Sequence, residues 1–96
     1  MYYSVSYDIS STKTRLLAVK LCKKAGLARL QRSVFMGSSL PALISDIEQQ
    51  LKPLLHPKTD SLCIVPLDAD TFTRLVLHGN QTDKKTIARE RKVVFV

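Results

Sequence analysis

The stretch that most constrains this chain is Tyr3 to Asp8, Tyr-Ser-Val-Ser-Tyr-Asp, followed by Ile9 and the cluster Ser10-Ser11-Thr12. Tyr3, Val5 and Tyr7 alternate with Ser4, Ser6 and Asp8, the period of a β-strand with one apolar face and one face of small or polar groups. Such a strand has to lie on a core, and this one ends in a carboxylate. Asp8 is the only acid in the first 36 residues, where Lys13, Arg15, Lys20, Lys23, Lys24, Arg29 and Arg32 surround it in sequence. Two readings stay open. A lone acid among bases, just before a helix cap, is a place where a divalent metal is held close to nucleic-acid phosphates. Alternatively, Asp8 belongs to the turn and accepts backbone N–H bonds.

Beyond the strand, Ser10, Ser11 and Thr12 offer an N-cap for a helix running to about Ala25, with Gly26 as its stop. Leu17, Ala18, Leu21, Cys22 and Ala25 share its apolar face, and Arg15, Lys20, Lys23 and Lys24 lie outside that stripe. Leu27 to Met36 reads as extended, but no register keeps one face dry, so two short strands or one bent strand are expected, broken near Arg32-Ser33. Gly37-Ser38-Ser39 turns the chain. Ser39 is the expected cap of a second helix with Pro41 in its first turn and Leu40, Ile44, Ile47 and Leu51 as its buried stripe. After a loop bounded by Pro53 and Pro57, Ser61 to Leu67 reads as a strand covered on both faces, limited by Pro66. Asp68-Ala69-Asp70 is an expected turn and Phe72 to Leu77 a further strand. Gly79 to Arg91 is polar and basic. The closing Lys-Val-Val-Phe-Val is a compact apolar strand that needs an edge to pair with, its own or that of another chain.

The order strand, helix, extended pair, helix, strand is βαββαβ, an α+β ferredoxin-like sandwich with both helices on one face of an antiparallel sheet. Residues 1–78 form this expected domain, and residues 79–96 add a basic loop and a C-terminal strand. With Tyr3, Val5 and Tyr7 under the helices, Ser4, Ser6 and Asp8 point to the open face. Self-association into a homodimer across that face would cover it and bring two copies of Asp8 towards a two-fold axis. One carboxylate is a poor Mg²⁺ site, whereas two, completed by water and phosphate oxygens, are a better one.

Charge bears on the partner. The 96 residues carry a net charge of +7, unevenly spread: seven bases against one acid in residues 1–36, two against five in 37–70, and six against two in 71–96. If the fold joins the two ends, they make a basic surface suited to a polyanion; the alternative is a merely basic, soluble surface. Cys22 and Cys63 read as buried thiols, with no Cys-x-x-Cys pair and no histidine ligands beside them, so a zinc site is not expected. His56 and His78 sit beside loop punctuation. The three glycines lie far apart, which excludes a Gly-rich phosphate loop, and no Gly-x-Ser-x-Gly elbow occurs. No apolar run approaches the ~18 residues of a membrane span and the start lacks a signal-peptide pattern, so a cytoplasmic location is expected.

Several of these residues together resemble a known family. Tyr7-Asp8-Ile9 closes the first strand, and Arg15 lies in the first turns of the helix. Gly26-Leu27-x-Arg29-Leu30-Gln31-x-Ser33-Val34-Phe35-x-Gly37 follows, with a Pro-bearing strand near residue 65. This pattern, over residues 1 to about 70, is similar to the CRISPR-associated endonuclease Cas2 family, the small subunit of spacer acquisition.

The resemblance implies a ferredoxin-like homodimer whose C-terminal strands cross to the partner, with Mg²⁺ held by the strand-end aspartates at the interface. It further implies a place in the adaptation complex beside the Cas1 integrase, and metal-dependent cleavage of RNA or double-stranded DNA. Carried over by position, Asp8 is the metal ligand with Tyr7 beside it, Arg15 and Arg29 contact or orient phosphate, and Phe35 supports the site. Some relatives have a second arginine two residues after the first; here that position is Leu17. Candidate phosphate contacts are Lys13, Arg15, Lys20, Arg29, Arg32, Lys84, Lys85 and Arg89. Two functions are therefore weighed: a Mg²⁺-dependent endonuclease, and a non-catalytic nucleic-acid-binding scaffold of the integrase complex. An RNA-recognition sheet is disfavoured because its Lys/Arg-Gly-aromatic signature is missing.

Overall fold

The structure, a computed structural model, describes residues 1–78 and 94–95. Its elements follow the expected order: β1 (Tyr2–Asp8), α1 (Thr12–Lys24), β2 (Ala28–Gln31), β3 (Val34–Ser38), α2 (Pro41–Leu51), β4 (Ser61–Leu67), α3 (Ala69–Thr73), β5 (Val76–Leu77) and β6 (Val94–Phe95). The first four strands make one antiparallel sheet in the order β2-β3-β1-β4. β1 is central because its apolar alternation lets it pair on both edges while burying Tyr3, Val5 and Tyr7. Those residues, with Phe35 from β3 and the half-buried Leu62 and Ile64 from β4, meet Ala18, Leu21 and Cys22 of α1 and Ile44, Ile47 and Leu51 of α2. Both helices thus cover one face of the sheet, the ferredoxin-like arrangement.

Local signals explain where the elements stop. Ser11 caps α1, its hydroxyl accepting from Thr14 N at 3.3 Å. The helix closes at Ala25, and Gly26, at φ +85°, takes the left-handed step that frees the chain to enter β2. Lys23 and Lys24 in the last turn face the negative end of the helix dipole. The β2–β3 hairpin breaks at Arg32-Ser33 as expected. A register shift between Arg29 and Gln31 absorbs the clash of parities seen in the sequence.

Several expectations are corrected. Ser39 does not cap α2: its Oγ donates to Ala25 O at 2.7 Å and its N–H to Met1 O at 2.9 Å, so it staples the end of α1 to the strand layer. The N-cap residue is Leu40, whose extended backbone takes its side chain off the helical stripe and leaves it 65% exposed. β4 is not covered on both faces. It lies at the sheet edge, which accommodates Pro66, and Ser61, Cys63 and Val65 point to the open face and are exposed. Cys63 is therefore an exposed thiol, unlike the buried Cys22.

The stretch after β4 is also not the turn and strand expected. Asp68 Oδ1 accepts from Thr71 N at 2.6 Å and caps the short helix α3, which drives Phe72 onto the open face of the sheet. Phe72 is fully buried there, stacked on Tyr2 with ring centroids 4.8 Å apart, over Ala28 and Leu30. Only Val76–Leu77 is extended, and it pairs in parallel with Val94–Phe95 of the same chain. The C-terminal strand thus has an edge within its own chain. The expected basic loop with Lys84, Lys85 and Arg89 lies outside the described residues. Among the described residues no helix is long and apolar enough to cross a membrane.

Candidate nucleic-acid interface and metal site

The sheet divides the sequence-predicted residues between its two faces. Tyr7, Arg15, Arg29 and Phe35 gather on the helix side; Asp8, the next residue along β1, points to the other. On the helix side a groove of about 210 Å³ runs between α1 and the β2–β3 hairpin, lined by Tyr7, Thr12, Arg15, Leu16, Arg29 and Arg32 among others. Its three guanidinium groups make it cationic.

Two of those arginines are largely engaged by the fold. Arg15 Nη1 donates to Ile9 O at 2.9 Å and Ser10 O at 3.0 Å, and Nη2 donates to Thr12 Oγ1 at 2.8 Å. Arg15 therefore braces the turn between β1 and α1. Arg29 reaches across the hairpin turn, where Nε and Nη2 donate to Arg32 O at 3.1 and 2.6 Å. Its guanidinium also sits 5.7 Å from the centre of the Phe35 ring, within cation–π range. Phe35 is completely buried and lies beside Tyr7, with ring centroids 6.5 Å apart. Phe35 accordingly supports both Tyr7 and Arg29 from below.

Tyr7 Oη donates to the same Arg32 carbonyl at 3.4 Å. Burial pushes its hydroxyl above the usual tyrosine range; the positive charge of Arg29 opposes that shift, Cys22 adds to it and Arg15 opposes it again. Tyr7 is thus protonated at neutral pH, a hydrogen-bond donor and not a base. Cys22 beneath it has a thiol pushed up to about 12 by burial, so it is packing and not a nucleophile.

Arg32 itself is exposed at the hairpin tip, and its side chain makes no hydrogen bond or ion pair among the described residues. Lys13 and Lys20 are exposed on α1 with Lys23 and Lys24. These are cations held on rigid elements with their charge left to solvent.

On the other face, Asp8 is exposed at the end of β1 opposite Ser61, and its carboxylate makes no hydrogen bond or ion pair among the described residues. Among the described residues it accepts no backbone N–H of the turn. The turn is served by Asp60, which sequence reasoning passed over. Asp60 Oδ1 accepts from Ser10 N and Ser10 Oγ, each at 3.0 Å, and from Thr59 Oγ1 at 3.0 Å, while Oδ2 accepts from His56 N at 2.9 Å. The His56 and Ser10 amides, followed by the two hydroxyls, pull its carboxyl down to about 2. A local sign exists, an Asp four residues after His56 at the close of a loop; its bond to Ser10, 50 residues away, has none.

The Asp8 carboxylate offers a hard oxygen donor without a competing partner among the described residues, a chemistry that suits Mg²⁺. Mg²⁺ takes one or two carboxylates and completes its shell with water and phosphate. No group of three or more potential metal ligands occurs among the described residues. Asp8 is the residue of this face that could hold such an ion, with any further protein oxygen supplied by a second chain.

Topology and surface together define a small α+β protein of ferredoxin-like build, with a cationic groove on its helix side and an exposed strand-end acid on the face that α1 and α2 leave open. Residues 1–75 match the model of the family described as CRISPR associated protein Cas2, and the chain belongs to that family. A relative from Pyrobaculum aerophilum, named CRISPR-associated endoribonuclease Cas2 2, is 37% identical over 78 residues, covering 78% of this chain and 86% of that protein. A Thermoproteus tenax protein named as a fusion of CRISPR-associated endonucleases Cas1 and Cas2 is 31% identical over 72 residues, covering 75% of this chain and 27% of the fusion. Among solved structures, Streptococcus pyogenes Cas2 superposes with a TM-score of 0.60 at 34% identity, covering 71% of this chain and 87% of that one. The recognition made from Tyr7-Asp8 and the Gly26–Gly37 motif is thereby borne out.

Proposed function

We propose that this protein is a Mg²⁺-dependent endonuclease of CRISPR spacer acquisition, acting as a homodimer alongside a Cas1 integrase. The observation that carries the reading is the Asp8 carboxylate: exposed, without a partner among the described residues, at the end of the central strand, on the sheet face that α3 covers only at its Phe72 end. The names of the relatives, endoribonucleases and a Cas1–Cas2 fusion, support the activity and the partner.

Two chains meeting across the open face bring two Asp8 carboxylates together, enough protein oxygen for one Mg²⁺. Held there, Mg²⁺ would supply positive charge beside a phosphodiester and a water of lowered pKa. The chain's own residues supply the rest. Lys13, Lys20 and Arg32 draw the phosphate backbone to the surface, and Tyr7, Arg15, Arg29 and Phe35 hold the groove and the turn that follows Asp8. The test is cleavage of RNA and of double-stranded DNA in Mg²⁺ and in chelator, by the wild type and by Asp8→Asn. Metal-dependent cleavage lost in Asp8→Asn supports the reading, and cleavage at full rate by that variant overturns it.

A second reading is favoured by one feature of the site. Arg15 and Arg29 donate to backbone carbonyls, while the exposed Lys13, Lys20, Lys23, Lys24 and Arg32 keep their charge for a phosphate backbone. That arrangement suits a duplex-gripping scaffold of the integrase complex with no cleavage of its own. Binding that weakens steeply with salt and is unchanged in Asp8→Asn, without any cleavage, selects it.

A further inference from the structure

The Asp8 carboxylate makes no hydrogen bond among the described residues, so the fold acts on it through the backbone, which sets where its Cα–Cβ bond points. That backbone is held by side chains two residues on. Ser10 gives both its N–H and its hydroxyl to Asp60 Oδ1, each at 3.0 Å, while its carbonyl accepts from Arg15 Nη1 at 3.0 Å. Arg15 also takes Ile9 O at 2.9 Å and Thr12 Oγ1 at 2.8 Å. An anion therefore binds the turn on its N–H side and a cation on its carbonyl side.

Asp60 immediately precedes Ser61, the register partner of Asp8. It is fixed in turn by His56 N and Thr59 Oγ1. The loop before β4, the start of β4 and the turn after β1 are so joined through one carboxylate. Nothing in the core requires this, since Asp60 lies on the rim and Ser10 is exposed.

We propose that Asp60 and Arg15 are positioning residues that clamp the Ile9–Thr12 turn from opposite sides and hold the backbone that aims Asp8 towards a shared divalent ion. The proposal rests on the metal reading of Asp8. Groups one step removed from a ligand commonly govern affinity; here they act on the strand end that carries the ligand and not on its carboxylate, because a strand end free to shift must be ordered each time the ion binds.

The test is Mn²⁺ binding by the full-length protein, followed through the electron paramagnetic resonance of the free ion, beside duplex binding by the same samples. Wild type, Asp60→Ala, Asp60→Asn and Lys58→Ala are compared, the last as a change in the same loop that leaves the clamp intact. Asp60→Ala is expected to weaken Mn²⁺ binding by roughly 10- to 100-fold, with duplex affinity within about twofold of wild type because no phosphate contact is touched. Lys58→Ala is expected to keep wild-type Mn²⁺ affinity. A loss of folding alone would depress both bindings together. Should Asp60→Ala fail to fold, Asp60→Asn, which keeps the shape and removes the charge, decides the matter below its own melting point. Unchanged Mn²⁺ affinity in a folded Asp60 variant overturns the clamp and leaves the metal reading standing. A wild type that binds no Mn²⁺ overturns the metal reading and the clamp with it.

Discussion

Replacing Asp8 by Asn separates three consequences of the account that a single activity measurement would merge. Within one chain the carboxylate is exposed and makes no hydrogen bond among the described residues, so its loss should change the folding stability by less than about 0.5 kcal/mol. Between chains the change is larger. Two oxygens bound to one Mg²⁺ at about 2.0–2.1 Å are no more than ~4.2 Å apart. Without the ion, two full charges at about 4 Å repel by about 1 kcal/mol in a water-like medium. Removing that repulsion should tighten the metal-free dimer about fivefold, since 1.4 kcal/mol corresponds to about tenfold. Mg²⁺ should tighten the wild-type dimer and leave the Asp8→Asn dimer unmoved. Sedimentation equilibrium in chelator and in Mg²⁺ measures all of this on the same samples. A variant dimer no tighter than wild type in chelator, or one that still responds to Mg²⁺, would refute the reasoning that the two acids converge.

Other expectations concern the parts around the site. Phe72→Ala empties the second core, where Phe72 is fully buried on Tyr2. Truncating a buried Phe costs about 3–5 kcal/mol, so hydrogen exchange should reach solvent rates over residues 69–77 while β1 amides stay protected, and equal loss of protection in both would contradict the two-core division. Asp60 has a carboxyl depressed to about 2, so its contribution to stability is fully present above about pH 4. It is lost as pH falls towards 2. Thermal melts from pH 6 to pH 2 should therefore show a shallower acid-side decline for Asp60→Asn than for wild type, and parallel curves would contradict it. For the phosphate surface, Arg32→Ala should reduce the dependence of duplex binding on log salt by about one unit, as expected for one lost phosphate contact. An unchanged slope would remove Arg32 from the interface.

The parts of this structure that were legible from residues are those written in local repetition. Tyr3-Val5-Tyr7 against Ser4-Ser6-Asp8 fixed both the central strand and the face to which Asp8 points. The Ser10-Ser11-Thr12 cluster and Gly26 bound α1 by capping rules that need no tertiary knowledge, and the structure selects Ser11 from the cluster. What failed was decided by contacts distant in sequence. Ser39 has the chemistry of a cap but is captured by Ala25 O, and Leu40 is exposed because the cap position rotates it out of the stripe. Asp68-Ala69-Asp70 has the composition of a turn, although Asp68 and Thr71 form a capping pair. The helix they start is only five residues long and is held by Phe72 on Tyr2.

The site divides in the same way. Asp8 and the basic character of α1 stand out in the sequence. The engagement of Arg15 and Arg29 by backbone carbonyls does not, because a guanidinium on a helix or hairpin reads as surface until the carbonyls it meets are known. The Asp60–Ser10 pairing joins the end of a loop to a turn across the sheet edge, and no periodicity marks it.

The most direct measurement of the central claim is the stoichiometry of Mn²⁺ bound to the purified protein, by titration against a known concentration of chains. One ion per two chains, abolished by Asp8→Asn, is the predicted result. One ion per chain, or binding that survives Asp8→Asn, would contradict the shared site.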